Sequence, residues 1–296
     1  MNSKTNILSD ADIATFWQEG YVTVENAVTD EELKRLQGEF TDWVAESRGH
    51  TEPWGTPTVD NRPRFDIGAE HTSGNPALRR VNNPSEISDT YMEVMRGSAV
   101  VGMVADLIGP NIKYHHCKIN SKLPGNNTVV HWHQDFPYTP HTNDDVVTAL
   151  LMLDDVTEEN GCLLVAPGTH RGAVNSLFQD GVFTGTVDEE TTRELARQEV
   201  PVMGKAGSVC LMHTRLQHSS RANKSARSRT LYICVYSAAD AVPIARNPMP
   251  SRFEGLIVNG VASPVARMIP LEVELPAQPK SASFFTVQGQ QSATSD

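Results

Sequence analysis

The residues best equipped for chemistry are His133 and Asp135, which close the run 128–135, and His218, which follows the run 208–217. The first run reads as a strand, and strand alternation puts residues i and i+2 on one face. An imidazole and a carboxylate on adjacent rungs can then reach one metal ion, and His218 can supply a third ligand. Two histidines and one carboxylate leave three coordination positions open, the arrangement used by non-haem Fe(II) oxygenases. Two open positions suit a bidentate 2-oxo acid and the third suits O2. Arg229 lies eleven residues beyond His218 and opens another apolar run, Thr230-Leu231-Tyr232-Ile233-Cys234. A guanidinium there can pair two-pronged with the distal carboxylate of 2-oxoglutarate, which a lysine would match less well.

A histidine and an aspartate two apart carry little weight alone in a chain with ten histidines. The competing pair His50-Thr51-Glu52 lies in loop-like sequence with no strand around it. His131 shares a face with His133 and either lines the pocket or serves structure. His213 would stretch the spacing to Arg229 to sixteen residues. His50, His71, His115, His141 and His170 read as surface or satisfied loop residues. Trp132 and Phe136 alternate away from the metal and read as core. Tyr138 borders the cofactor or the substrate, and Arg79-Arg80 either grip an anionic substrate or are solvated surface charge.

These side chains need a scaffold, and the sequence supplies its signals in two stages. Ser9 caps a helix ended by Gly20, residues 21–24 alternate as a short strand, and Thr29 with Glu32 forms a capping box for a second helix. Residues 50–84, rich in Pro, Gly, Asn and Arg, read as loops, and residues 85–107 as a third helix. From residue 113 onward, short Val-, Ile-, Leu- and Tyr-rich runs alternate with turn residues, at 113–120, 128–133, 146–153, 162–165, 208–212 and 230–237. Helices followed by strands predict a mainly β fold with helical buttresses in a single domain. Its parts are a helical segment 1–112, a core 113–240 and an extension 241–296. Residues 174–199 interrupt the strands as an acidic, partly helical insertion that reads as a loop or lid, and the tail from Gln288 onward reads as frayed.

The formal net charge is −11, with a pI near 5.4. That balance disfavours nucleic acid and anionic membranes, both of which need a basic surface. No apolar run approaches the roughly 20 residues of a membrane span. The four cysteines are scattered without a CxxC pair, as in a reduced, cytoplasmic protein.

His133-Gln134-Asp135, His218 and Arg229 at this spacing resemble the phytanoyl-CoA dioxygenase family of 2-oxoglutarate oxygenases. Glu159-Asn160-Gly161-Cys162-Leu163 with Ala166-Pro167-Gly168-Thr169-His170-Arg171 is similar to its NG-L-PGSH turn, with Ala166 and Thr169 as departures. Residues 204–209 resemble the glycine-containing turn before its last ligand, and the likeness runs from about residue 11 to 238. The resemblance implies a double-stranded β-helix (jelly roll), Fe(II), 2-oxoglutarate and O2, and hydroxylation of a small molecule. In the ectoine hydroxylase branch an asparagine and a small hydroxyl residue help to hold 2-oxoglutarate; Asn120 and Thr148 match them, and Lys118 would face the pocket. Asp135 argues against a halogenase, which lacks that carboxylate. An acyl-CoA hydroxylase and a catalytically silent binding module on the same scaffold are the alternatives.

Overall fold

The computed structural model describes residues 6–277 and Gln288. In chain order the elements are α1 (Asp10–Glu19), β1 (Tyr21–Val24), α2 (Asp30–Ser47), β2 (Phe65–Ile67), β3 (Leu78–Asn82), α3 (Asp89–Gly97) and α4 (Ala99–Ile108). The strands then dominate: β4 (Ile112–Lys122), β5 (Val130–His133), β6 (Val146–Met152), β7 (Leu163–Val165), β8 (Phe178–Gln179) and β9 (Val182–Phe183). After α5 (Glu189–Ala196) come β10 (Val200–Val202), β11 (Val209–His213), β12 (His218–Ser220), β13 (Arg229–Ala238) and β14 (Ile257–Asn259).

The helix signals act as expected. The Ser9 hydroxyl accepts from the Asp12 N–H while Asp12 reaches back to Ser9, and Gly20 ends α1 at φ +86°. Thr29 and Glu32 cap α2 in the same reciprocal way, at 3.2 and 2.8 Å. The single helix expected at 85–107 is instead two, because Ser98 adopts an extended conformation (φ −71°, ψ 168°) and turns the chain between α3 and α4.

The strands form two facing sheets, a jelly roll. The larger runs β1-β11-β6-β13-β4-β3-β2 with β14 also on β4, and the smaller runs β10-β7-β12-β5. Alternation sorts the larger sheet's two faces. Val147, Ala149, Leu151, Leu211, Tyr232 and Cys234 pack with Phe16, Leu36, Tyr91 and Met95 of the helices. Their sequence neighbours Leu150, Met152, Cys210, Met212, Leu231 and Ile233 face inward, against Leu163 and Val165 of the smaller sheet. Burial on both faces explains why β6, and β13 beyond Arg229, are apolar, aromatic or small. Burying such side chains stabilises by about 1.5–3 kcal/mol each.

Two expectations need correction. The segment 50–84 is not only loop, since β2 and β3 lie within it and extend the larger sheet through the register Arg80↔Asn120. Their signal was weak because the strands are short and carry Asp66, Arg79 and Arg80 in place of an apolar alternation. The tail expected to fray contains Gln288, which is buried: its side chain donates to the Gly185 carbonyl (2.8 Å) and accepts from the His131 N–H (3.1 Å). The rest of that tail lies outside the described residues. The insertion 174–199 holds the β8–β9 hairpin, turned by Asp180 (φ +49°) and Gly181 (φ +76°) as a two-residue mirror-type turn requires. Phe183 stands edge-on to Tyr138 at 5.5 Å, and the Tyr138 hydroxyl donates to the Gly185 carbonyl at 2.7 Å.

Thr29→Ala removes one half of the α2 capping box. It is expected to cost about 1 kcal/mol, read as a lower denaturant midpoint at unchanged slope; an unmoved midpoint would show that α2 is held by packing alone.

Candidate active site

β5 delivers His133 at its last residue, and β12 delivers His218 at its first. The two are direct antiparallel partners, with ring centroids 4.2 Å apart. Asp135 lies beyond the end of β5, in helical conformation (φ −73°, ψ −31°), at the start of the turn Phe136–Tyr138. Strand alternation therefore places His133 but not Asp135; the turn swings the carboxylate back towards both rings. Asp135 Oδ1 is 3.7 Å from Nε2 of each histidine. One candidate ligand atom from each of the three residues lies within 4.8 Å of the others.

The electrostatics prepare this cluster for a cation. Nδ1 of His133 meets the His131 carbonyl at 2.8 Å, and Nδ1 of His218 meets the Leu216 carbonyl at 3.0 Å. A carbonyl can only accept, so each Nδ1 carries the proton and each Nε2 presents a lone pair. Burial, then the neighbouring His133, pulls His218 down to about 4, so it is neutral at pH 7. Burial alone would raise the Asp135 carboxyl, but His218, His133 and Lys118 around it hold it well below the usual range. Thr148 donates to Asp135 Oδ2 at 2.8 Å and leaves Oδ1 for the metal position. The donor set of two imidazoles and one carboxylate fits a divalent metal.

A cavity of about 140 Å³ opens from this cluster between the sheets. Along β4, His116, Lys118, Asn120 and Lys122 alternate onto its wall. Across from them on β13 stand Val235, Ile233, Leu231 and Arg229, in matching register. Arg229 closes the far end: its Nε and Nη2 both donate to the Gly161 carbonyl, at 2.9 and 2.7 Å. Burial lowers Arg229 only to about 10, so it stays charged. Gly161 sits at φ +82°, and a Cβ there would come 2.5 Å from the Arg221 carbonyl oxygen, so the Asn160-Gly161 turn needs its glycine.

Of the sequence-derived residues, Lys118, Asn120, Tyr138, Thr148, Arg80 and Arg229 join the three candidate ligands on the cavity wall. Arg80 gives its Nε to Asn120 Oδ1 at 3.1 Å. Burial pulls Lys118 down to about 8, with Asp135 opposing. Arg79 and His131 are not on that wall: Arg79 points to the other face of β3 and pairs with Asp66 at 3.0 Å, and His131 is exposed. His213 is buried against Phe16 and Trp17, a structural histidine. His141 and His170 are buried loop residues whose rings meet the Thr139 and Trp17 carbonyls, whereas His115 is neither surface nor loop but buried on β4. Gln134 points away from the cluster and clamps the loop after His170, donating to the Ala173 and Arg215 carbonyls.

Lys122 went unread in the sequence, although it continues the i, i+2 series from Lys118 and Asn120. It pairs across the sheet with Arg229, and its Nζ donates to Ser220 Oγ at 2.7 Å and to the Arg221 carbonyl. Arg62 and Arg246 also reach the cavity, from loops whose sequence carries no such signal.

The profile of the phytanoyl-CoA dioxygenase family (PhyH) matches residues 16–231 of the chain. A probable alpha-ketoglutarate-dependent hypophosphite dioxygenase of Stutzerimonas stutzeri is 34% identical over 203 residues, covering 67% of this chain and 71% of the relative. The L-proline trans-4-hydroxylase of Streptomyces griseoviridis is 28% identical over 190 residues, 57% of this chain and 71% of that one. Among solved structures, EctD from S. alaskensis with bound Fe shares the fold at a TM-score of 0.69 and 20% identity, covering 88% of this chain and 90% of that one. The chain belongs to the phytanoyl-CoA dioxygenase family of Fe(II)- and 2-oxoglutarate-dependent oxygenases.

Proposed function

We propose that His133, Asp135 and His218 hold the iron, that Arg229 anchors 2-oxoglutarate with Asn120 and Thr148 beside it, and that the chain hydroxylates a small-molecule metabolite. The observation carrying this reading is the convergence of two Nε2 lone pairs and one carboxylate oxygen within 4.8 Å, at one end of a cavity whose other end is Arg229. When bound, iron and 2-oxoglutarate would supply the oxidising chemistry, in which the substrate, O2 and 2-oxoglutarate are converted to hydroxylated substrate, succinate and CO2.

The chain's own residues set geometry, charge and dryness. The His131 and Leu216 carbonyls fix both ring tautomers, and Thr148 fixes the carboxylate rotamer. The Gly161 carbonyl holds the Arg229 fork against rotation, so little side-chain freedom is lost when a carboxylate docks. Phe183 and Tyr138 cover the metal side and exclude water, with Gly185 pinned beneath them. We assign the chain to the cytoplasm, in keeping with four buried, unpaired cysteines; among the described residues no helix is long and apolar enough to cross a membrane.

His133→Ala, Asp135→Ala and His218→Ala are each expected to abolish substrate-dependent succinate release, while His213→Ala and His50→Ala, where folded, keep it. Retained activity in His218→Ala together with loss in His213→Ala would overturn the ligand assignment. Arg229→Lys keeps the charge but loses the fork, and should raise the apparent KM for 2-oxoglutarate about ten- to a hundredfold, with a smaller effect on the substrate KM. Equal 2-oxoglutarate affinities in the two proteins would remove Arg229 from the site.

Lys122 adds a pH signature. Burial, then the Arg229 charge, pulls it down to about 5, so at pH 7 it is neutral while no anion is near. An incoming carboxylate favours the ammonium form and raises that value. Binding of 2-oxoglutarate at pH 7 should therefore take up a proton, and the uptake should fade as the pH falls through about 5, below which Lys122 is already charged. Calorimetry in buffers of different ionisation enthalpy measures this, and identical binding enthalpies in all of them would refute it.

A further inference from the structure

β4 carries one residue more than its partner β13 can match. Tyr114 pairs with Tyr236 and His116 with Val235, so His115 is the extra residue of a β-bulge. In an unbroken strand, neighbours such as His115 and His116 would point to opposite faces. Here Tyr114 and Cys117 both pack on the outer face of the larger sheet, towards the helices. The two histidines between them therefore share the inner side, and their Nδ1 atoms meet at 2.7 Å.

A contact between two Nδ1 atoms holds one proton, and the surroundings decide which ring owns it. Burial keeps both rings neutral at pH 7. His115 Nε2 lies 3.8 Å from the Glu254 carboxylate, which Asn247 steadies by donating to Oε2 at 2.9 Å. His141, its ring 5.1 Å from that of His115, gives its own Nδ1 proton to the Thr139 carbonyl at 2.7 Å, so its Nε2 carries a lone pair. Both neighbours can only accept, which places the His115 proton on Nε2 and leaves a lone pair on its Nδ1. The shared proton then belongs to His116, and Nε2 of His116 is bare.

That atom is buried on the cavity wall, and among the described residues it has no hydrogen-bond partner. The charges acting on the ring from the cavity side are Lys118, Asp135 and Arg80. The two cations favour a lone pair there over an N–H, and Asp135 is engaged by Thr148 and the metal position. The place of His116 in the sheet says what it can reach. Val235 pairs with His116 on one side and Thr148 on the other, so His116 shares a rung with the residue that holds Asp135. Arg229 stands on the rung of Lys122, six residues or roughly 20 Å away along β4. On the assignment of iron and 2-oxoglutarate made above, on which this inference rests, the co-substrate runs from the metal towards Arg229. His116 borders the end of the cavity that it leaves open. We infer that His116 selects the substrate: its bare Nε2 accepts a hydrogen bond from an O–H or N–H group that the substrate carries close to the carbon to be oxidised.

The test uses the full chain loaded anaerobically with Fe(II) and saturating 2-oxoglutarate, whose chelate on the iron absorbs visible light. Cyclopentanol and cyclopentanone, alike in size and in their accepting oxygen, differ in the O–H donor and are titrated against that band. The alcohol should perturb it about three- to tenfold more tightly, the worth of one neutral hydrogen bond. In His116→Phe, which keeps a flat ring without the acceptor, the preference should vanish. In His116→Gln, whose amide oxygen can turn to the cavity, it should return in part. Nitrogen chemical shifts of the histidine-labelled chain, with Zn(II) in place of Fe(II), read the tautomers directly: His116 protonated on Nδ1 and His115 on Nε2. Should His116→Phe not fold, these shifts in the unaltered chain decide the matter. Failure of the band to form overturns the iron and 2-oxoglutarate assignment, and this inference with it. A normal band with equal affinities, a preference for the ketone or no response to either probe overturns this inference alone. So does a His116 ring protonated on Nε2, or a His116→Phe protein that keeps the preference for the alcohol.

Discussion

The site depends on one register: His218 opposite His133 in the antiparallel pair of β12 and β5. A shift by one residue would send either ring to the opposite face of the smaller sheet, because side chains alternate with period two. The register is held from both sides. β12 pairs on its other edge with β7, His218 opposite Val165, and the chain on either side of His218 is fixed by Gln217 and the serines that follow. The Gln217 N–H donates to the Thr169 hydroxyl at 3.1 Å, and its amide reaches Asn175 at 2.8 Å. Ser220 accepts from Lys122. The meeting of the two histidines is thus a consequence of strand pairing, and the loop after His170 helps to enforce it.

The larger sheet has a different task, for which its two-sided burial matters. Its outer face is welded to the helices by Tyr91, Tyr232 and Tyr236, whose hydroxyls all find backbone carbonyls inside the core: Leu36, Tyr91 and Met95 accept them at 2.9, 2.8 and 2.7 Å. These bonds remove the penalty of burying three phenols and lock β13 against α2 and α3. A rigid β13 is what lets Arg229, Leu231, Ile233 and Val235 form a wall of fixed spacing opposite β4. The helices therefore buttress the cavity without touching it.

Much of this was legible in the sequence. β4, β5, β6, β7, β11 and β13 show themselves through short apolar runs, whereas β8, β9, β10 and β12 do not, and the cap at Ser9 and the capping box at Thr29 mark their helices within a residue. Residue type and spacing single out His133, Asp135, His218 and Arg229, and the structure brings all four onto one cavity. What could not be read has physical reasons. Asp135 reaches the cluster through a helical turn that no alternation rule foretells. β2 and β3 pair through charged residues, so they lack an apolar period. The break between α3 and α4 falls at Gly97-Ser98, a glycine signal inside an otherwise continuous helical reading. Gln288 is buried by contacts to Gly185 and His131, residues more than a hundred positions away, and its polar neighbourhood in sequence points the other way.

The net charge of the whole chain and the charge lining its cavity have opposite signs. At −11 the chain repels anions from a distance, yet its cavity is lined by six basic side chains and one acidic one. The two facts belong to different length scales. Surface carboxylates act through water and are screened beyond about 8–10 Å, whereas Lys118, Lys122 and Arg229 act across a few ångströms of low-dielectric wall. Long-range repulsion can slow the encounter with an anion, and Arg246 at the mouth offsets it locally. Once inside, the short-range term governs affinity. The acidic exterior is therefore no argument against anionic ligands here, and the cavity's composition outweighs the balance of the whole chain.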